Sequence, residues 1–300
     1  MKTIDFYISQ SEISDPGKFI QLYKNLPTSI EDLCKVVQGL IAHRDGAKEF
    51  YGFEVPEDKK READLRYVEK IIGRVMALIN SPLSTERPPE KRVFGSCRDF
   101  AILLCSILRY QKVPARLRCG FSAYFEEGDY IDHWVCEYWG RNEQKWLLVD
   151  AELGDEVLRI YKIDFNPTSV PRDKFLVAGQ AWQLFRQGKV NPESFGVPWL
   201  NIKGAWFIRG NLLRDLAALN KVELLPWDYT EFSDKQFGNL SELSRQEVKL
   251  LDKISELTTS LRNEDIFKIQ SLYNSDPRLK VASRIKSYTI HGPKEIVLVK

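Results

Sequence analysis

The sequence predicts an α+β fold: a small antiparallel sheet packed on one buried helix, with helices before it and a mostly helical extension after it. Three observations carry this. From Phe100 the apolar residues fall at Phe100, Leu103, Leu104, Ile107 and Leu108, and Ala101, Ile102 and Cys105 make the rest of that helix apolar too. Leu117, Cys119, Phe121, Ala123 and Phe125 then alternate with Arg118, Gly120, Ser122 and Tyr124, the period of a strand. Residues 133–139 and 145–150 read as two further strands joined by the turn Gly140-Arg141-Asn142-Glu143.

In chain order, Ser29 offers a cap for an amphipathic helix built on Ile30, Leu33, Val36, Val37, Leu40 and Ile41 and expected to end near His43-Arg44-Asp45-Gly46. Residues up to Pro56 read as loop, and a second helix is expected over 58–79, stopped by Ser81-Pro82. Past Asp150, helices are expected over 175–187, 211–220, 263–273, and from the capping box Ser244-Arg245-Gln246-Glu247 to about Leu257. Residues 191–199 and 290–293 read as loop, and 295–299 as an edge strand. The expected division is a core over 1–165 and a helical extension over 166–300.

The 43% hydrophobic and 29% charged content is that of an ordinary globular chain. A formal charge of +2 gives no electrostatic reason to expect nucleic acid as a partner. No stretch approaches the ~20 apolar residues of a membrane span, and the first residues lack the apolar run of a signal peptide. The five cysteines are odd in number and show no C-x-x-C spacing, which suggests neither a metal site nor a disulfide framework and favours a reducing cytoplasm.

The chemistry concentrates at Gly95-Ser96-Cys97-Arg98-Asp99. Ser96 stands at the N-cap and Asp99 three residues on, which puts Cys97 at the first helical position. There the helix dipole favours a thiolate, the nucleophilic form, and the first-turn amides have no acceptor within the helix and suit an oxyanion. If Arg141-Asn142 closes a two-residue turn, Gly140 faces Glu143 and His133 falls opposite Asp150, with Cβ atoms ~5 Å apart. Cys97, His133 and Asp150 are the residue types of thiol acyl transfer: one attacks, one carries the proton, one orients the imidazole. Arg98 is a candidate for an acidic substrate group and Trp134 for a wall beside the thiolate. Glu137 reads as a structural carboxylate, and the other four cysteines as packing residues.

The runs Gly95-Ser96-Cys97-Arg98-Asp99-Phe100-Ala101, Val113-Pro114-Ala115-Arg116, Asp132-His133-Trp134 and Trp146-Leu147-Leu148-Val149-Asp150 together resemble the core of the transglutaminase-like superfamily. The resemblance covers roughly residues 90–155 and implies a papain-like cysteine-proteinase type of core, with Cys97, His133 and Asp150 as the triad. Residues 132–139 and Gly210-Asn211-Leu212-Leu213-Arg214-Asp215 further resemble a group of bacterial transglutaminase-domain proteins. In that group a similar His-Arg pair precedes the core, which makes His43 a candidate to line the cleft or donate to an oxyanion, with Tyr51 beside it.

The expected function is acyl transfer on a protein, peptide or small amide, without cofactor or metal, with hydrolysis favoured over transglutamination. A non-catalytic binding protein that keeps the fold is the alternative. A papain-like enzyme proper carries an aromatic residue directly after its cysteine, and arylamine acetyltransferases an Arg-Gly-Gly before theirs; this chain has neither.

Overall fold

The computed structural model describes residues 3–234, 243–259 and 262–298. The chain divides into two units, one of residues 5–117 and 134–171, the other of residues 1–4, 118–133 and 172–300.

In the first of these, Ser29 accepts a hydrogen bond from the Asp32 N–H and opens α1 (Ile30–Gln38). The helix stops earlier than expected because Ile41 joins β1 (Ile41–His43). This strand pairs in parallel with β2 (Val93–Gly95), in the register Ile41↔Val93 and His43↔Gly95. Between them lie α2 (Ala47–Tyr51), where loop was expected, and α3 (Val68–Leu78). The long helix expected over 58–79 is broken: a 3-10 turn covers Lys60–Asp64, and Leu65 is extended. The break has two uses. The Arg66 carbonyl accepts from Arg98, and the Val68 N–H donates to the Ile13 carbonyl at 2.8 Å.

The buried helix is α4 (Cys97–Tyr110). It feeds β3 (Ala115–Ser122), then β4 (Tyr130–Gly140) and β5 (Lys145–Val149). β4 and β5 are antiparallel, from Cys136↔Val149 to Gly140↔Lys145. Four residues, not two, make the turn, and Gln144 closes it in the left-handed region at φ 51°. The register is therefore shifted by two from the expected one, and Asp150 leaves the ladder instead of facing a partner across it. A short α5 (Asp155–Ile160) follows, which the sequence did not announce.

Every residue of β3 is buried, so both of its faces are covered. Its arginines are matched one by one. Arg116 Nε lies 2.6 Å from Glu137 Oε2, with its guanidinium 3.8 Å over the Trp146 ring. Glu137 is thus the structural carboxylate expected.

The other unit is built on the far end of β3. β6 (Phe175–Val177) pairs with it antiparallel, Gly120↔Val177. A Cβ on Gly120 would come within 2.2 Å of the Leu176 carbonyl oxygen, so only glycine admits this approach. The helix expected over 175–187 is therefore a strand first, then α6 (Ala178–Arg186). The expected loop at 191–199 contains β7 (Phe195–Val197), parallel to the start of β4 and followed by β8 (Ile202–Lys203). α7 (Ala205–Leu219) begins before Asn211 and is buried along nearly its whole length.

The run 210–215 ties α7 to β3. Asp215 takes Arg118 on both oxygens, at 3.0 and 2.9 Å, and also the Cys119 N–H. Asn211 donates to the Gly120 carbonyl and to Asp132 Oδ1, while its own Oδ1 accepts from Arg214.

Next come β9 (Asp228–Tyr229) and α8 (Glu231–Asp234). The predicted capping box opens α9 (Arg245–Thr259): the Ser244 N–H donates to Glu247 Oε2, and the Glu247 N–H to Ser244 Oγ. After α10 (Asp265–Ser275) the tail is a hairpin of β10 (Arg284–Thr289) and β11 (Gly292–Val297), not the single strand expected; Val299 of that expectation lies outside the described residues. No described helix is long and apolar enough to cross a membrane.

Asp215→Ala is expected to cost about 3–5 kcal/mol, because it strands the Arg118 charge in the interior. The pair Arg118→Met with Asp215→Leu should cost less than Asp215→Ala alone, since no buried charge is left behind. Urea midpoints of the three proteins check this.

Candidate active site

Cys97 is the first residue of α4 and is 8% exposed. Its place is set by Asp99, which doubles back so that Oδ2 accepts the Ser96 N–H at 2.8 Å in the predicted capping box. Gly95 leaves room for this: a Cβ there would lie 2.8 Å from Asp99 Oδ2. Asp99 Oδ1 accepts from Arg98, whose other terminal nitrogen reaches the Arg66 carbonyl at 2.8 Å. Burial pushes the Asp99 carboxyl above the usual carboxylate range, against the pull of Arg98 and Ser96. Arg98 itself is fully buried.

His43 is delivered to the same region by the β1–β2 pairing, beside Gly95. The Arg44 N–H donates to the Gly95 carbonyl at 2.8 Å. His43 Nδ1 accepts the Gly46 N–H at 3.1 Å, so the ring proton resides on Nε2. That nitrogen lies 3.9 Å from Glu152 Oε1, beyond hydrogen-bond reach. A Glu152 oxygen in turn lies within 4.8 Å of the Cys97 sulfur. Glu152 is 6% exposed and was not anticipated. The one signal for it in the sequence is its position two residues past Asp150.

Asp150 is buried, and its Oδ1 accepts the Glu152 N–H at 3.1 Å. Its backbone N–H donates to the Pro167 carbonyl, and the Ala151 carbonyl accepts from Gln38. These bonds hold the turn after β5. Tyr51 stacks on Phe53 and carries the Arg92 guanidinium 5.6 Å from its ring centre; burial pushes its hydroxyl up.

In the other unit His133 is 2% exposed and stands edge-on to Phe125, Tyr124 and Phe175, with ring centres at 5.1, 5.9 and 6.2 Å. Burial pushes the neighbouring Asp132 carboxyl up, against Arg214 and the Asn211 hydrogen bond. Trp134, the first residue after the chain returns to the unit of residues 5–117 and 134–171, is buried, and its indole N–H meets no acceptor among the described residues.

The remaining cysteines are buried free thiols. Burial pushes Cys34 up to about 12 and Cys119 and Cys136 well above the ordinary thiol value.

Residues 59–151 match the family model of the transglutaminase-like superfamily, a stretch that holds Cys97, His133 and Asp150 and ends just before Glu152. No curated protein matches the chain. A solved structure, a candidate cysteine protease from Cytophaga hutchinsonii, is 15% identical with a TM-score of 0.34, over 59% of this chain and 48% of that one. The chain thus spans about half the length of that protein, and the likeness is too slight to carry an argument.

Iodoacetamide at about neutral pH is expected to alkylate Cys97 and to leave Cys34, Cys119 and Cys136 unmodified, as read by peptide mass spectrometry. The raised Cys34 also sets a pH trend. An unfolded thiol titrates near 9.0 and the folded one near 12, so its contribution is complete below 9.0 and is lost as the pH climbs toward 12. The urea midpoint should fall across that window, and less steeply in Cys34→Ala.

Proposed function

From a transglutaminase-like stretch at residues 59–151, we propose that the chain is a thiol acyl-transfer enzyme acting on an amide or peptide bond. The observation that carries the reading is Cys97 at the head of α4, its cap in place, inside that stretch. In this reading Cys97 is the nucleophile, His133 the proton carrier and Asp150 the carboxylate that orients the imidazole. The thiolate attacks the acyl carbon, and the C–S bond forms as the carbonyl electrons move to oxygen. Collapse breaks the C–N bond, and His133 gives its proton to the departing amine. Water then attacks the thioester, passes a proton to His133, and the C–S bond breaks to return the thiolate.

An amine in place of water gives transglutamination. Hydrolysis is the favoured outcome, because water is the default acceptor wherever a site does not exclude it. The substrate is a protein, a peptide or a small amide. Free thiols at all five cysteines suit a reducing compartment, and we assign the enzyme to the cytoplasm.

The test is trapping. The protein is incubated with a peptide library, with and without a labelled amine, and adducts on Cys97 are read by mass spectrometry. Acylated Cys97 supports the reading, and its absence under turnover overturns it. Cys97→Ala and His133→Ala should each lower turnover about 10⁶-fold and Asp150→Asn about 10⁴-fold. Cys97→Ala in particular removes a single sulfur atom at the head of α4, so its thermal midpoint should stay close to that of the parent.

A further inference from the structure

His133 is the last residue of the segment 118–133, so its placement depends on what fixes the end of that segment. Among the described residues β7 pairs with β4 at Tyr130 and Ile131 and stops short of His133. Past that point a side chain takes over. Asn211 Nδ2 donates to Asp132 Oδ1 at 2.7 Å and to the Gly120 carbonyl at 3.2 Å, so one amide of α7 joins β4 to β3 one residue before His133. The amide has a single working orientation. Its Oδ1 accepts from Arg214 Nη2 at 2.8 Å and from Nε at 3.2 Å, and a guanidinium offers donors only, so the amide N–H groups must face Asp132 and Gly120. Arg214 is fixed in turn, its guanidinium 4.8 Å from the Tyr229 ring centre and 5.6 Å from that of Phe207. Successive side chains of a strand point to opposite faces. Asp132 therefore faces α7, while the His133 ring lies on the other face, edge-on to Phe125, Tyr124 and Phe175. Burial pushes the Asp132 carboxyl up, toward the uncharged form, and the bond from Asn211 is one that a neutral carbonyl oxygen also accepts.

We infer that Asn211 is a positioning residue for His133, acting through Asp132. The amide fixes the Asp132 side chain, that side chain fixes the backbone of β4, and the next residue is the proton carrier of the proposed reaction. A misplacement of about 1 Å costs such a group up to about 100-fold in rate. Asn211 touches neither substrate nor reacting atoms, and its effect passes through contact, not charge. The run 210–215 thus does two jobs from one face of α7. Asp215 holds the helix to β3 through Arg118, and Asn211, one turn earlier, sets the end of the strand segment that carries His133. The inference rests on the acyl-transfer reading and adds to it the residues that hold the imidazole in place.

The test needs no natural substrate, because in the proposed chemistry the readiness of the Cys97 thiol depends on a well-placed imidazole. Alkylation of Cys97 by iodoacetamide, in which the thiolate displaces iodide, is followed against pH by peptide mass spectrometry. His133→Ala is expected to move the rate profile to higher pH. Asn211→Ala and Asp132→Ala should each move it the same way and lower the rate at neutral pH about tenfold. Asp132→Asn keeps an oxygen for the Asn211 amide but not the charge, and should stay close to the parent. The pair Arg118→Met with Asp215→Leu disturbs the same helix without touching Asp132, and should leave the profile in place whatever it costs in stability. Cys34 and Cys136, both buried, report on the fold by staying unmodified. If Asn211→Ala labels them, the contrast between Asp132→Ala and Asp132→Asn decides alone. A parent-like profile in Asp132→Ala, a loss in Asp132→Asn as large as in Asp132→Ala, or an equal shift in the Arg118 and Asp215 pair overturns the inference and leaves the acyl-transfer reading standing. A profile that ignores His133→Ala overturns the acyl-transfer reading and the inference together.

Discussion

Where α4 begins decides the chemistry of the unit that holds it. A helix start shifted by one residue would turn Cys97 about 100° around the axis and away from its surroundings. Asp99 fixes that start by taking the Ser96 N–H, and Gly95 is small enough to let the carboxylate through. Arg98 then locks Asp99 from the other side and reaches the Arg66 carbonyl, where the chain has left a helical path between the Lys60–Asp64 turn and α3. β2 runs directly into the cap, and its pairing with β1 brings His43 to the level of Gly95. Cys97, its cap and the neighbouring His43 imidazole thus sit on one hydrogen-bonded assembly.

The same economy of polar groups recurs at a distance from Cys97. A strand buried on both faces cannot carry arginine unless each guanidinium is answered, and β3 carries two. Arg116 is answered by Glu137 and the face of Trp146. Arg118 is answered by Asp215, which α7 presents together with the Asn211 amide. The run 210–215, whose resemblance pointed to a family, thereby has a physical role: it is the polar clasp of its unit.

Sequence patterns announced the features set by local rules. The caps at Ser29, Ser96 and Ser244 and the buried helix α4 depend on residues within one or two turns, and they stand as expected. Features set by pairing were harder to read. Ile41 continues the apolar stripe of α1 and yet belongs to β1, because Val93 lies across from it, more than fifty residues away in sequence. Phe175 and Leu176 continue the apolar pattern of α6 but pair with β3. The β4–β5 register hung on turn length, and a left-handed Gln144 is not a residue that marks such a turn in sequence. Glu152 was missed for a related reason: it lies past the end of a strand, where alternation gives no face.

The electrostatics at Cys97 are less simple than a helix N-terminus alone suggests. The dipole favours a thiolate by about 0.3–1 kcal/mol. A carboxylate about 5 Å from the sulfur opposes it by about 3 kcal/mol at the effective dielectric of partly buried groups. A charged carboxylate at that distance outweighs the dipole, so the helix start alone does not make Cys97 a thiolate. In the proposed chemistry the positive group that favours the thiolate is the His133 imidazolium, and it must offset the carboxylate as well as add to the dipole.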